Sequence, residues 1–168
     1  TDSLVVANGQ ERLTVVDITD PSSPKIANKF GTFGTARRVQ IRGDLAWVAG
    51  VSVGVAAYDL TSEQKNPHVG SWSTHSSSQD LAVTPDGRVY VANWEDLVVL
   101  DATDYRDIKF LGSEAVVPSS GSSSHVVSVS TSNNPNVAFV SEWSGFWSYC
   151  FAEGRTAPDI RLSRTRVD

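Results

Sequence analysis

The chain has 168 residues, 40% of them hydrophobic, and a net charge of −5, which suits one domain with a real core and leaves too little for two large ones. Its basic residues are scattered, apart from Arg37-Arg38 and the terminal Arg161, Arg164 and Arg166, so the electrostatic footprint of a nucleic-acid binder is missing. No apolar run approaches the roughly 18 residues of a membrane span, and the single Cys150 cannot make an internal disulfide.

The sequence contains no methionine and no signal peptide. It therefore reads as beginning at a processed or excised point, with an extracytoplasmic origin left open.

No window of helical length keeps a 3.6-residue apolar spacing free of Gly, Pro or Asn. What recurs is short β-rich runs separated by Gly, Asn, Asp, Ser and Pro, so the class is all-β. In chain order, strands are expected at Leu4–Ala7, Leu13–Ile18 and Lys25–Phe30. A second set follows at Arg37–Ile41, Leu45–Ala49, Val53–Leu60 and Val69–Thr74. A third spans Asp80–Val83, Arg88–Ala92, Leu97–Leu100 and Ile108–Gly112. The last comprises His125–Ser130, Val137–Ser141, Phe146–Phe151 and Ile160–Arg164.

These runs repeat. Asp17, Asp59 and Asp101 stand 42 residues apart, and so do Ala7 and Ala49, with Ala92 following at 43. The fourth copy drifts because a low-complexity segment, VVPSSGSSS (116–124), intervenes. A period near 42 with four short strands per unit is the signature of a β-propeller, whose four-stranded antiparallel blades pack face to face around an axis. Units of about 1–34, 35–76, 77–123 and 124–168 follow, with strands named A to D from the axis outward. The first unit has only B, C and D. Fifteen strands, with one inner strand missing, suggest a portion of a larger propeller, with about three further blades supplied by other chain or a partner. A self-contained four-bladed ring is the alternative.

The units have a recognisable wording: SQDLAV (78–83), VYVANW (89–94) and LVVLDATD (97–104), with LTVVDITDPSSP at 13–24. This resembles the LVIVD-repeat family of β-propellers. There a blade reads A-H-D-V-x-V, then a YVA strand, then GL-x-IVD-V-x-D-P-x-x-P. The second unit keeps Asp59 and Pro67, the third keeps Asp101 and Asp104 without the prolines, and the fourth has Tyr149-Cys150 instead. The resemblance implies a non-catalytic scaffold that binds protein or polysaccharide, at the cell surface, outside the cell or in the periplasm. It implies neither a cofactor nor a membrane span.

Three sets of residues are candidates for more than packing. Asp17, Asp20, Asp59, Asp101 and Asp104 close C strands, where Asp accepts hydrogen bonds from the backbone of the turn, so they read as turn formers. No 12-residue calcium-loop pattern surrounds them, and no metal site is expected. Aligned by the following apolar residue, Arg37, Gln79 and His125 share one column and Arg38, Asp80 and Val126 the next. These would lie at the mouth of the central channel. They are read as polar lining, or alternatively as a ligand or metal site of a propeller enzyme completed by other blades. Trp94 and Trp143 each follow a B strand and are the candidates for contact with a partner or a sugar face. Trp47, Tyr90 and Phe139 share a B-strand column and are expected between blades. His68 and His75 read as solvated turn residues, STHSSS (73–78) as a flexible loop, and Cys150 as a buried thiol.

Overall fold

Blade by blade, β-branched and aromatic runs closed by Asn, Gly and Asp turns pair into antiparallel meanders. The computed structural model describes residues 2–9, 12–51, 54–116, 125–143, 145–151 and 165–166. Blade 1 is β1 (Ser3–Ala7), β2 (Arg12–Asp17) and β3 (Lys25–Gly31). Blade 2 is β4 (Thr35–Arg42), β5 (Leu45–Val51), β6 (Gly54–Asp59) and β7 (His68–Trp72). Blade 3 is β8 (Asp80–Val83), β9 (Arg88–Asn93), β10 (Asp96–Asp101) and β11 (Lys109–Ala115). Blade 4 is β12 (Val126–Thr131), β13 (Val137–Glu142), β14 (Gly145–Cys150) and β15 (Thr165–Arg166).

Each blade is a separate sheet with its strands in sequence order: one of three strands and three of four. The inner strands β4, β8 and β12 are neighbours across blades, and β1 stands beside β4. The expected fourth D strand at residues 160–164 lies outside the described residues, as does the start of the third strand of unit two. The described D strand of blade 4 is β15, paired through Trp147 with Arg166 and Ser148 with Thr165.

Three apolar clusters hold the blades together, one for each junction. Leu13, Phe30, Ala46, Val48, Ala56 and Tyr58 fill the first. Trp47, Val55, Ala57, Val89, Val91 and Leu100 fill the second, and Tyr90, Leu97, Val99, Val140, Trp147 and Tyr149 the third. Successive residues of a strand point to opposite faces, so one strand serves two junctions. In β5, Val48 faces blade 1 and Trp47 faces blade 3. Blade 3 is covered on both faces, and β9 is buried at every residue. Burying one such Val, Leu or Phe contributes about 1.5–3 kcal/mol.

Irregularities repeat with the blades. Pairing slips by one residue between strands C and D at Val15/Val16, Ala57/Tyr58 and Val99/Leu100. A bulge adds twist, and here it opens each D strand in the same way. Polar clamps cross the junctions as well. The Gln40 side-chain oxygen accepts from the Val83 amide at 2.7 Å. The buried Arg88 donates to the carbonyl of Pro135 at 3.1 Å and to the side chain of Asn136, and its guanidinium covers the Phe151 ring at 4.4 Å.

Two single-residue expectations are corrected. Cys150 is exposed rather than buried, because it lies on the outward face of blade 4, which no described blade covers. His68 is not a solvated turn residue. It opens β7 and packs edge-on against Phe33 and Tyr58, at centroid distances of 4.8 and 5.7 Å. His75 is exposed, at φ 57°.

Candidate functional site

In an antiparallel meander the D–A and B–C connections lie at one end of the strands, and the A–B and C–D connections at the other. The candidate residues divide between these two ends.

At the C–D end blades 1, 2 and 3 repeat one device. Asp17, Asp59 and Asp101 each accept the backbone N–H two residues on, from Thr19, Thr61 and Thr103, at 2.8–3.0 Å. The hydroxyls of Thr61 and Thr103 donate to the same carboxylate oxygens at 2.6 and 2.7 Å. Hydrogen bonds from the threonines hold all three carboxyls below their ordinary value. Asp20 and Asp104 form a second turn of this kind with the amides of Ser22 and Arg106, at 3.1 and 3.0 Å. Among the described residues no group of three His, Cys, Asp or Glu side chains is placed to hold a metal.

At the opposite end the starts of the inner strands carry a different chemistry. Asp80 is buried and all its acceptor positions are engaged. One oxygen accepts the Ser128 hydroxyl at 2.7 Å and the Val129 amide at 3.1 Å. The other accepts the Leu81 amide at 2.9 Å and pairs with the Arg38 guanidinium at 3.3 Å. One carboxylate thus ties blades 2, 3 and 4 together. Gln79 is also occupied, donating to the carbonyl and hydroxyl of Ser77 at 3.2 and 2.7 Å. Arg37 is exposed, in the bulge between Ala36 and Arg38.

The strand pairings change the column expected for His125. Arg38 pairs with Ala49, Asp80 with Ala92, and Ser128 with Ser141, so Ser128 is the counterpart of Arg38 and Asp80. The bulge between Val126 and Ser128 is the counterpart of the one between Ala36 and Arg38, so Val127 takes the place of Arg37 and Gln79. His125 therefore precedes the inner strand and does not converge with Arg37, Arg38 and Asp80. The adjacent pair Val126-Val127, which breaks the two-residue alternation, was the signal in the sequence.

His125 instead meets the two tryptophans. Its ring stacks on Trp94 at 4.1 Å, with 26° between planes, and stands edge-on to Trp143 at 5.1 Å. The backbone holds this in place. Trp94 turns the B–C connection at φ 58°, and its carbonyl accepts the Val126 amide at 2.7 Å, bridging blade 3 to blade 4. Asn93 donates to Asp96 across the same turn at 2.8 Å, and burial raises the Asp96 carboxyl. Trp94 and His125 are half-buried, whereas Trp143 is 76% exposed. His125 Nδ1 is buried without a partner.

The serine-rich loop at 73–78 carries internal hydrogen bonds. Thr74 and Ser78 are buried, and their hydroxyls bond at 2.9 Å. The second serine-rich stretch lies outside the described residues. A shallow open cleft of about 220 Å³ lies elsewhere, lined by Gly31, Thr32, Phe33 and Asn66, smaller than the ~300–1,000 Å³ usual for small-molecule sites.

Residues 4–32 and 77–105 match the family model described as the LVIVD repeat. The chain carries LVIVD repeats. Solved structures similar to it include a protein from Lactobacillus plantarum, at 12% identity and TM-score 0.76, with 98% of this chain and 52% of that one covered. The β-propeller domain of Myceliophteria thermophila Cps50 (Swd1) matches at 10% identity and TM-score 0.64, covering 85% and 45%. Dihydro-heme d1 dehydrogenase NirN, in complex with DHE, matches at 21% identity and TM-score 0.64, covering 98% and 34%. At such identities the likeness is one of fold, and the LVIVD-repeat chain spans about a third to a half of these proteins. No curated protein compared with it matches significantly.

Proposed function

We propose that this LVIVD-repeat chain is a non-catalytic β-propeller scaffold that binds its partner at the B–C/D–A end of blades 3 and 4. One observation carries the reading: the exposed Trp143 ring, backed by His125 and Trp94. A mostly exposed indole that rests edge-on against the His125 ring presents apolar area at low entropic cost. Glu95, exposed and next to Trp94 in the chain, supplies a hydrogen-bond acceptor. This combination suits a pyranose ring, with an apolar face and a rim of hydroxyl donors, and polysaccharide is therefore the favoured partner. Catalysis is disfavoured by Asp80, whose oxygens are committed to joining blades. The resemblance to the LVIVD family supports a place at the cell surface, outside the cell or in the periplasm.

The test is titration with neutral oligosaccharides of increasing length, followed by tryptophan fluorescence. Saturable quenching that strengthens with length is expected. A flat response to every sugar would remove polysaccharide and leave a protein partner for the same surface. A second reading, an enzyme completed by further blades, rests on the unpartnered Nδ1 of His125. Stoichiometric binding of a divalent metal that His125→Gln abolishes would favour it.

A further inference from the structure

The joint between blades 3 and 4 lies inside the chain, with a four-stranded sheet on each side. Its B–C turn holds Trp94 at φ 58°, a left-handed conformation that a residue with a bulky side chain rarely adopts. Such a turn persists only where its surroundings fix it. Among the contacts that do so, the Trp94 carbonyl accepts the Val126 amide at 2.7 Å and Asn93 donates to Asp96 at 2.8 Å. The His125 ring completes them, lying on the Trp94 indole at 4.1 Å. Histidine is the side chain whose ordinary charge change falls between pH 5 and 8.

The surroundings of His125 offer its charge little. Nδ1 is buried without a partner, Trp94 covers one face of the ring, and Trp143 stands edge-on to it at 5.1 Å. Proton uptake would leave a charged N–H donor without an acceptor there, which costs more than an unpaired neutral nitrogen. The indole face offsets part of that cost. The ionisable groups of the neighbouring elements are Glu95 and Asp96 in the Trp94 turn and Glu142 at the end of β13, with Asp80 and Arg38 one step inward through Ser128. Glu95 is exposed, Asp96 holds Asn93, Glu142 accepts the Trp147 indole N–H at 3.4 Å, and Asp80 is committed to Ser128 and Arg38. Among the described residues none of them forms an ion pair with His125. Residues 116–124, which lead into His125, carry no titratable side chain.

We propose that His125 is a proton-sensitive brace for the aromatic end of blades 3 and 4. Neutral, the imidazole stays packed against Trp94 and Trp143. Protonated, it turns its nitrogen out to water, and the left-handed Trp94 turn loses the ring that rests on it. The brace itself concerns only this internal joint. Its consequence for binding rests on the contact surface proposed above: the partner is held at neutral pH and released in acid.

The experiment follows tryptophan emission and acrylamide quenching of the whole chain from pH 8 to pH 5, in the wild type, His125→Gln and Trp94→Phe. Circular dichroism checks that each variant keeps its β-sheet. In the wild type, emission should move to longer wavelength and quenching should rise in a single one-proton step as the pH falls. The step should vanish in His125→Gln and shrink in Trp94→Phe. A wild type without the step would overturn the proposal. So would a step that survives in His125→Gln, which would belong to another histidine or to Asp96, whose carboxyl burial raises. Emission that dims in acid with no gain in acrylamide access would also overturn it, because the charged ring would then still be stacked. A neutral oligosaccharide titrated at pH 8 and pH 5 gives the second readout. Its affinity should fall at least about tenfold in acid for the wild type and stay level in His125→Gln. Equal affinity at both values would overturn the release in acid. The emission step without sugar binding at either pH would support the brace and remove only the polysaccharide reading.

Discussion

The two ends of the strands differ in what repeats. At the C–D end, three blades use the same Asp and the same Thr two residues on, with nearly the same bond lengths. At the B–C end the blades diverge: Asn8-Gly9 in the first, a glycine-flanked connection in the second, Asn93-Trp94-Glu95 in the third and Glu142-Trp143 in the fourth. A feature repeated in three blades answers to geometry that those blades share, namely a tight turn after strand C. A feature confined to one junction answers to something local. The turn end is architecture, and the aromatic end is where the molecule has surface to offer.

Substitutions can break this contrast, and the largest effect should come from the joins between blades. At Gly70 a β-carbon would overlap the carbonyl oxygen of Tyr105, which belongs to the next blade's C–D turn. Gly70→Ala should lower stability by about 3 kcal/mol or prevent folding, read from urea unfolding. Asp80→Ala strands the buried amide of Val129 and removes the tie among three blades. A loss of about 2–4 kcal/mol is expected in the same assay. A neutral result would show that the inner carboxylate is free for other work.

A single turn matters less. Asp101→Ala, which deletes two local hydrogen bonds, should cost about 1 kcal/mol. The turns also set an acid limit. Because the native carboxyls of Asp17, Asp59 and Asp101 lie below the ordinary 3.8, the unfolded chain binds their protons first. Their contribution is therefore complete above that value and is lost as pH falls below it through the native values. Thermal unfolding from pH 5 down to pH 2 should show the loss, and it should be smaller in Asp101→Ala. The smallest effect on stability belongs to Trp143→Ala, within about 0.5 kcal/mol, since this ring is mostly in solvent.

Much of the fold was legible in the sequence because the repeat supplied its own alignment. The 42-residue spacing placed fourteen of the strands to within a few residues, and the missing inner strand of blade 1 appeared as a missing β run. Legibility failed where register depends on one residue. Two valines, Val127 and Val129, could each match Val39 and Leu81; the pairing of Ser128 with Ser141 selects Val129 and puts His125 outside the column of Arg37 and Gln79. The threonines of the turns were overlooked because the aspartates alone matched the motif. Cys150 was read as buried from its aromatic neighbours, but burial there needs a blade beyond it. Trp94 and Trp143 could be singled out from sequence, whereas their meeting through His125 could not, since that contact joins two blades.

The most direct measurement is calorimetric titration of one oligosaccharide into the wild type, Asp101→Ala and Trp143→Ala. Asp101→Ala should bind as the wild type does, despite its lower unfolding midpoint. Trp143→Ala should keep its midpoint and lose affinity at least about tenfold, the equivalent of about 1.4 kcal/mol. Undiminished binding by Trp143→Ala would contradict the assignment of the aromatic end as the contact surface.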